Sequence, residues 1–397
     1  MTKLSDRMYV LADSETLAMS KKSAELKAQG FDIINLSIGE PDFNTPELIK
    51  QGAKKAIDDN YTHYPPVAGY KDLREAISRK FKKENNLDFA QDQIVVSAGA
   101  KHSIANVVLC LVNPGEEVII PSPYWVSYRE IIKLAEGTGV FIKTSLENDF
   151  KITAKQLESA ITPKTKMFIF SSPSNPTGFI YTKDELKAIA EVIAKHENIY
   201  VISDEIYEHI NYVGKHESIA QFDSIKDRVI VINGVSKGYA MTGWRIGYIG
   251  APKWLAQACE KLQGQFTSAA CSIAQRASLT ALTCDQSAVG EMREIFRKRR
   301  DLVISHLKEI PAIKTNTPQG AFYVFADFSY YFGKSDGTTK IKDANDLTFW
   351  LLEKAQVAMV SGDAFGDPNC IRLSYATSDE LLIKAVQRIK DALGKLK

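Results

Sequence analysis

The stretch from Gly234 to Gly247 combines a lysine, hydroxyl side chains and an arginine. Lys237 follows an apolar, strand-like run (Arg228 to Ile232) and a Gly-Val-Ser turn, and Arg245 comes eight residues later. A lysine held in a pocket can form a Schiff base with an aldehyde. Ser236 and the Arg245 guanidinium suit a phosphate dianion. The stretch therefore indicates covalent chemistry on a phosphorylated aldehyde, and the alternative is a solvated lysine on a surface loop.

A carboxylate and a phenol follow another strand-like run. Asp204 and Tyr207 come directly after the apolar residues Tyr200 to Ser203. A carboxylate buried at a strand end is costly without a cationic partner, so Asp204 indicates a site for a cation. Tyr207 adds a phenol that can donate a hydrogen bond beside it. The alternative is that Asp204 caps a following helix.

Two further loops offer polar groups. The loop Ser172 to Gly178 holds Asn175 between two prolines, which preset its amide as a donor, although a plain turn has the same composition. The loop Ser97 to Lys101 precedes a helix that we predict to start near His102. Small residues there expose backbone N–H groups at the positive end of the helix dipole, which favours a phosphate. No Gly-Lys-Ser/Thr follows, so this loop is not a P-loop.

An aromatic ring and an arginine complete the set. Trp125, within Pro121 to Tyr128, offers a flat apolar face for a stacked ring, and the alternative is a core tryptophan. Arg372 lies inside the apolar run Asn369 to Tyr375, where a guanidinium is costly unless it is paired bidentately.

Alternating strands and helices must position these groups. Apolar strand-like runs are separated by amphipathic stretches such as Lys183 to His196, which predicts an α/β fold with a mostly parallel seven-stranded sheet covered on both faces. The predicted strands are Gln93 to Ser97, Glu116 to Pro121, Val140 to Lys143, Lys166 to Ser171, Ile199 to Ser203, Arg228 to Ile232 and Arg245 to Gly250. Because ligands of such sheets bind beyond the carboxyl ends of the strands, we expect the polar loops to converge.

The C-terminal part differs in character and predicts a second, smaller α+β domain. We expect residues 47–290 to form the large domain, and residues 1–46 with 291–397 to form the small one. The predicted C-terminal elements are a linking helix at Glu291 to Leu307, strands at Ala321 to Phe325, Val357 to Val360 and Ile371 to Tyr375, and a helix from Ser378 onward.

Composition excludes several classes of function. The chain has 397 residues, 45% hydrophobic and 25% charged, with a formal net charge of +2, so no basic field predicts nucleic-acid binding. No apolar run is long enough to span a membrane, and the first residues predict no secretory signal. The five cysteines are scattered without CxxC spacing, which predicts reduced thiols in a cytoplasmic protein and no metal site.

Taken together, these motifs resemble those of the class I/II aminotransferases, which use pyridoxal 5'-phosphate (PLP) on a type I fold. The resemblance runs from Leu36 to Tyr375 with the motifs in family order, and it is nearest to the bacterial aspartate aminotransferases of subgroup Ib. One position differs from many members, since Ala100 stands where they have glycine. A backbone N–H serves equally well from alanine at negative φ.

The resemblance implies a role for each residue. The implied catalytic residues are Lys237, Asp204 and Tyr207, with PLP linked covalently to Lys237. The implied cofactor contacts are Gly99, Ala100, Lys101, Trp125, Asn175, Asp204, Tyr207, Ser236, Lys237, Arg245 and, across a homodimer with shared active sites, Tyr64. The implied substrate contacts are Gly39, Trp125, Asn175, Arg372, Lys101, Ser14 and Thr16.

The implied reaction is a ping-pong transamination. The Lys237 amine moves the substrate proton as general base and acid, and Asp204 sustains the electron sink. Arg372 and Gly39 hold the α-carboxylate, and Lys101 with Ser14 and Thr16 receives a side-chain carboxylate, which favours L-aspartate with 2-oxoglutarate. Ser14 and Thr16 fit a helix N-cap ahead of Leu17 equally well.

Other functions stay open at this stage. Prephenate also carries a ring carboxylate, and aromatic or alanine aminotransferases share the cofactor motifs. A PLP-dependent lyase uses the same lysine with another substrate pocket. A regulatory PLP-binding module is the non-enzymatic alternative, although no helix-turn-helix segment or basic patch accompanies the motifs.

Overall fold

A computed structural model describes residues 3–13 and 15–397. The helices are α1 Arg7–Val10, α2 Glu15–Ala28, α3 Glu47–Asp58, α4 Lys71–Lys80, α5 Ala100–Leu111, α6 Ser127–Leu134, α7 Ala154–Ala160, α8 Lys183–Ala194, α9 Lys253–Phe266, α10 Ser272–Thr283, α11 Ser287–Leu307, α12 Ala344–Lys354 and α13 Asp379–Leu393, and a π-helix, Phe81–Asn85, continues α4. The strands are β1 Ile34–Asn35, β2 Ile94–Ser97, β3 Glu117–Ser122, β4 Thr138–Lys143, β5 Thr165–Ser171, β6 Tyr200–Asp204, β7 Val229–Gly234, β8 Gly247–Gly250, β9 Tyr323–Asp327, β10 Val357–Ala358, β11 Val360–Ser361 and β12 Cys370–Ser374.

Seven strands form the central sheet in the order β2-β8-β7-β6-β5-β3-β4. Only β8 runs antiparallel to its neighbours β2 and β7, and the other pairs are parallel. The prediction of an α/β fold with a mostly parallel seven-stranded sheet is therefore confirmed. The parallel strands bring their carboxyl ends to one edge.

Alternate residues of each strand pack on opposite faces of the sheet. Val229 and Val231 of β7 join one buried cluster with residues of α3, α4, α8 and α10. Ile230 and Ile232 of the same strand join a second cluster with residues of α5, α6 and α9. The near-continuous apolar character of the strand in the sequence follows from this burial on both faces.

Side-chain caps stabilise the first turns of several helices. The side chain of Thr182 accepts from the backbone N–H of Glu185 at 3.3 Å, and the Glu185 carboxylate accepts from the N–H of Thr182 at 2.7 Å, which caps α8. Ser378 caps α13. Such side-chain caps satisfy donors that the first helical turn leaves unpaired.

A third cluster surrounds the sheet β11-β12-β9 and contains Phe296 of α11 and residues of α12 and α13. The N-terminal strand β1 pairs in parallel with β10, so the first residues of the chain pack against its C-terminal part. The domain boundaries near residues 46 and 290 stay a prediction.

The structure corrects three predicted elements. The run Val357 to Val360 is not one strand, because β10 pairs with β1 whereas β11 pairs with β12 in a different sheet. The strand predicted from Ala321 begins at Tyr323, since Ala321 adopts a left-handed φ of 57°. Arg245 lies before β8 rather than in it, because its own φ is 56°.

The helix predicted near His102 begins earlier, at Ala100, and the linking helix begins at Ser287 rather than Glu291. Terminal turns are the part of a helix that composition locates least well.

Burial of β7 predicts its contribution to stability. Ile230 is fully buried in the middle of the sheet, so Ile230→Ala removes packed atoms and should lower the free energy of unfolding by about 2–5 kcal/mol. Ile57→Ala, at a side chain that is 54% exposed, should change it by less than about 1 kcal/mol. Urea midpoints of the two variants test this, and equal losses would contradict the assignment of the core.

Candidate active site

All five polar loops contribute to one cleft of about 260 Å³ at the carboxyl edge of the sheet. Its lining residues are Thr16, Gly39, Ala100, Lys101, Trp125, Tyr128, Ser171, Asn175, Asp204, Ile206, Tyr207, Ser236, Lys237, Thr242, Arg245, Tyr323 and Arg372. Twelve of them were predicted as site residues from the sequence, and the cleft brings them together.

Two predicted residues do not line the cleft, and the position of a third is not described. Gly99 lies directly behind Arg245, as a Cβ on Gly99 would collide with the guanidinium. Tyr64 points into solvent with 94% of its surface exposed, so its role across a subunit boundary stays a prediction. Ser14 lies outside the described residues.

Lys237 follows β7 and lies within the cleft rather than on a solvated loop. Its Nζ donates to the carbonyl of Gly39 at 2.6 Å and lies 5.8 Å from the ring centroid of Tyr207. Burial lowers the pKa of Lys237 to about 8, assisted by the positive charges of Arg372 and Arg245, although Glu40 acts in the opposite direction. A lysine with this pKa has a substantial neutral, nucleophilic fraction near pH 7.

Asp204 ends β6 and is buried. The hydroxyl of Tyr128 donates to Oδ2 at 2.6 Å, and the backbone N–H of Ile206 donates to Oδ1 at 3.3 Å. Burial raises the pKa of Asp204 to about 6, and these two hydrogen bonds limit the rise. Turns rather than a helix follow Asp204, so the interpretation as a helix cap is wrong.

Two tyrosine hydroxyls meet beside Asp204. The Tyr207 and Tyr323 oxygens are 2.7 Å apart, and both rings are buried. Burial and the neighbouring Tyr323 raise the pKa of Tyr207 well above its usual range. Tyr207 is therefore a neutral phenol that can donate to a ring oxygen.

The N-terminus of α5 and Arg245 form an anion cradle. Gly99 precedes α5 with φ 92°, and Arg245 donates to the carbonyls of Thr242 at 2.9 Å and Ala98 at 3.4 Å. Both Gly99 and Gly247 must lack a Cβ, because one on Gly247 would meet the backbone N of Ala100. The close approach directs a guanidinium and helix N–H groups to one place, which suits a phosphate.

Arg372 of β12 is buried without a carboxylate partner in the described part of the chain. It donates from Nη1 to Oδ1 of Asn175 at 3.0 Å and from Nη2 to the carbonyl of Ser37 at 2.7 Å. Its Nε is buried with no protein acceptor among the described residues. A buried guanidinium with only neutral acceptors favours an added anion.

A second cation lies on another wall of the cleft. Lys101 Nζ lies 5.1 Å from the ring centroid of Trp125, and burial followed by the charge of Arg245 lowers the pKa of Lys101. Thr16 lines the same wall from inside α2, so its interpretation as a cap before Leu17 is wrong.

The residues present fit PLP. Asp204 is a buried carboxylate with no ion-pair partner in the ranges 3–13 and 15–397, which a pyridinium would supply. The cradle at Arg245 suits the phosphate, and Lys237 suits the aldehyde. The three groups lie on one cleft, as one small molecule requires.

Sequence reasoning missed Tyr128 and Tyr323. Tyr128 lies three residues after Trp125 and so was part of a recognised loop, but nothing in its type or spacing showed that it reaches Asp204. Tyr323 begins an apolar strand, where a tyrosine is ordinary core composition. Both roles arise from contacts between distant segments.

Comparison with known proteins identifies the class. Residues 32–389 match the family of class I and II aminotransferases, so the chain belongs to that family.

Two relatives align with nearly the whole of this chain. A bifunctional aspartate aminotransferase and glutamate/aspartate-prephenate aminotransferase of Petunia hybrida is 47% identical over 99% of this chain and 83% of that protein. An aspartate/prephenate aminotransferase of Cereibacter sphaeroides is 47% identical over 98% of each chain.

Solved structures agree with these relatives. The aspartate aminotransferase from Rhizobium meliloti matches with a TM-score of 0.97 and 40% identity over 100% of both chains. The aspartate aminotransferase from Thermus thermophilus with maleate matches with a TM-score of 0.93 and 40% identity, over 99% of this chain and 100% of that one. The resemblance to the family and its type I fold is confirmed, and the chain is an aminotransferase of that class. Within the described residues, no helix is long and apolar enough to cross a membrane.

The lowered pKa of Lys237 predicts how PLP attaches. With a pKa of about 8 instead of 10.5, roughly a quarter of the amine is neutral at pH 7.5, against about one part in a thousand. The rate at which apoprotein develops the visible band of bound PLP should therefore rise with pH and reach half its maximum near pH 8. Rapid-mixing absorbance from pH 6.5 to 9.5 tests this. A rate that keeps rising tenfold per pH unit throughout would contradict it.

The hydrogen bond from Tyr128 predicts a second effect. Tyr128→Phe removes a donor that keeps Asp204 ionised, so the carboxylate pKa should rise and PLP should bind about 10-fold or more weakly at pH 7. Titration of apoprotein with PLP measures this, with Tyr200→Phe, on the partly exposed first position of β6, as the control. Equal affinities for Tyr128→Phe and the control would show that Asp204 does not depend on Tyr128.

Proposed function

We propose that the protein transfers the amino group of L-aspartate to 2-oxoglutarate with PLP, giving oxaloacetate and L-glutamate in a ping-pong cycle. The observation that carries this proposal is a pair of cations, Arg372 and Lys101, on one cleft with Lys237 and Asp204. Neither cation forms an ion pair within the described residues, and a dicarboxylate amino acid would supply an anion to each.

Each residue has a distinct task. PLP, when bound, supplies the electron sink for a carbanion at the substrate α-carbon. Arg372 binds the α-carboxylate and thereby orients the α-proton towards Lys237, whose neutral amine takes the proton and returns it. Asp204 holds a proton on the ring nitrogen, and Tyr207 donates to the ring oxygen. The backbone of Gly39 closes the site over Lys237, and the hydrogen bond from Lys237 Nζ to the Gly39 carbonyl at 2.6 Å supports this role.

The side-chain carboxylate of aspartate is assigned to Lys101 and Thr16, and the sequence prediction adds Ser14, which lies outside the described residues. Partial desolvation of the Lys101 ammonium strengthens its attraction for an anion, because less water screens the charge. Trp125, directly under the ammonium, provides the face on which the cofactor ring stacks.

Prephenate is a second candidate amino acceptor. It presents a ring carboxylate, and the wall of Lys101 over Trp125 offers a cation next to an apolar surface. Relatives named as aspartate/prephenate aminotransferases support this option. We also propose a homodimer in which Tyr64 reaches the phosphate cradle of the partner subunit, because this tyrosine is 94% exposed in the single chain.

An absorbance experiment tests the first half of the reaction. Purified protein with PLP should show a visible band, and L-aspartate alone should convert it to the near-ultraviolet band of the amino form of the cofactor. Lys237→Ala should lose the conversion. A band that L-aspartate leaves unchanged would contradict the proposed donor, and the same assay with L-phenylalanine, L-alanine and arogenate would then identify it.

A specificity variant tests the role of Lys101. Lys101→Met keeps an unbranched side chain, one atom shorter, and removes its charge, so kcat/KM for L-aspartate should fall about 10- to 100-fold. The value for L-alanine, which has no side-chain carboxylate, should change much less. Equal losses for the two substrates would contradict a contact between Lys101 and the carboxylate.

A further inference from the structure

The turn that carries Asp204 and Tyr207 also carries two buried glutamates that do not line the cleft. Glu205 and Glu208 alternate with the two site residues and are buried away from the cleft. The backbone here forms successive turns, with Glu208 N donating to the Glu205 carbonyl at 3.0 Å and Ile210 N to the Tyr207 carbonyl at 2.8 Å. Backbone hydrogen bonds hold its two ends, from Glu205 N to the Ile232 carbonyl at 2.9 Å and from Ala321 N to the Ile210 carbonyl at 2.8 Å. Between these ends no helix or strand holds the segment, so the orientation of Tyr207 and Glu208 also depends on side chains.

Glu205 is held by a complete set of donors. Ser203 Oγ lies 2.9 Å and Ser218 Oγ 2.6 Å from Oε1, and His216 Nε2 lies 2.9 Å from Oε2. Burial lowers the pKa of His216, but the charge and hydrogen bond of Glu205, with the charge of Glu208, outweigh this effect. The pKa of His216 is therefore raised. Three polar side chains therefore surround the buried Glu205 carboxylate.

Glu208 is anchored to the other side of the domain. Its carboxylate forms an ion pair with Lys80, the last residue of α4, and accepts from Nδ2 of Asn85 at 2.8 Å. Lys80 also donates to Oδ1 of Asn85 at 2.9 Å. The π-helix Phe81–Asn85 places Asn85 back beside Lys80, which closes this triangle.

This network does not resemble a vacant metal centre. Glu208 with Glu84 and His209, and with Glu205 and His216, does bring carboxylate and imidazole atoms close together. The Lys80 ammonium, however, already supplies the cation at Glu208. The arrangement is an ion network in which Lys80 and Asn85 meet the Glu208 carboxylate.

Stability alone gives little reason for such a pair. A buried ion pair is commonly neutral or worse for stability than packed apolar side chains of the same size. Such a pair does fix the orientation of its side chains, because a charged pair with shared hydrogen bonds is stable in only one geometry. Glu208 is adjacent to Tyr207, so that geometry fixes the backbone from which the phenol projects.

We propose that Lys80 and Glu208 are positioning residues for the aminotransferase reaction: their buried ion pair, with Asn85, holds the Asp204–Tyr207 turn against the bound cofactor. This inference rests on the proposed use of PLP. On the cleft side, Asp204 and Tyr207 each have one side-chain partner, Tyr128 and Tyr323. The ion pair fixes the same turn from behind.

A double variant separates position from stability. Lys80→Met combined with Glu208→Leu replaces both charges by apolar groups and leaves the buried Asn85 without its two partners, so the thermal midpoint should fall modestly while the protein stays folded. The pH midpoint of the visible band of bound PLP should nevertheless shift by about 0.5 unit or more, and kcat should fall about 10- to 100-fold with KM little changed. A double variant with the wild-type band, pH midpoint and kcat would overturn the proposal.

A conservative variant guards against a folding defect. Glu208→Asp keeps the charge and shortens the side chain by one methylene, so the turn must move to keep the pair, and the pH midpoint of the band should shift in the folded protein. An unchanged midpoint would overturn the proposal. Lys195→Met with Glu158→Leu, an exposed ion pair at 2.8 Å, is the matched control and should alter neither readout.

The wild type separates this inference from the proposed function. Absence of any band with PLP would contradict the proposed function itself, and the inference would fall with it. A band that is present but unmoved by L-aspartate would contradict only the substrate, and the pH midpoint would still test the ion pair. A responsive wild type with unaltered variants would overturn the ion pair's role alone.

Discussion

The buried carboxylate of Asp204 is the constraint on which the rest of the site depends. It ends a strand in the interior of the sheet, and Tyr128 and one backbone N–H are its only hydrogen-bond donors within the described residues. Burial alone would favour its neutral form, as its pKa of about 6 shows. A cationic ring nitrogen at this position changes the balance, because it compensates the charge that the protein leaves uncompensated. Among the residues that the structure describes, no cation lies at ion-pair distance from Asp204, which is a property suited to a cationic ligand.

The cations around Asp204 also suit a ligand, because together they attract anions into the cleft. Lys237, Arg245, Arg372 and Lys101 converge on one cleft, and mutual repulsion lowers the pKa of Lys237 and Lys101 beyond the effect of burial. Such a set of cations is stable only when anions join it. A phosphate at α5 and the carboxylates of a substrate meet that need in different parts of the cleft. The lowered pKa of Lys237 then serves its chemistry, because a neutral amine can both attack an aldehyde and accept a proton.

The sequence predicted what is local or periodic. Strand-like runs with burial on both faces predicted the sheet, and the strand-end loops with Lys237, Asp204 and Asn175, together with Arg372 inside a strand, predicted most of the cleft. It could not predict contacts that depend on distant segments meeting, such as Tyr128 with Asp204 or Lys80 with Glu208, which are separated by 76 and 128 positions. The division of this run between two sheets could not be predicted for the same reason, since two-residue strands separated by a single residue look like one strand. Left-handed residues at 245 and 321 shifted two strand starts, and no composition rule marks an arginine or alanine for that conformation.

The most direct test of this account is the identity of the lysine that carries the cofactor. Protein saturated with PLP is reduced with borohydride, digested and analysed by mass spectrometry, so that the covalent bond is fixed and located in one peptide. The account predicts a single modified site at Lys237, with Lys101 unmodified although it lies on the same cleft. Modification at Lys101, or an even distribution over surface lysines, would contradict the assignment of the buried amine between Gly39, Tyr207 and Asp204 as the reactive group.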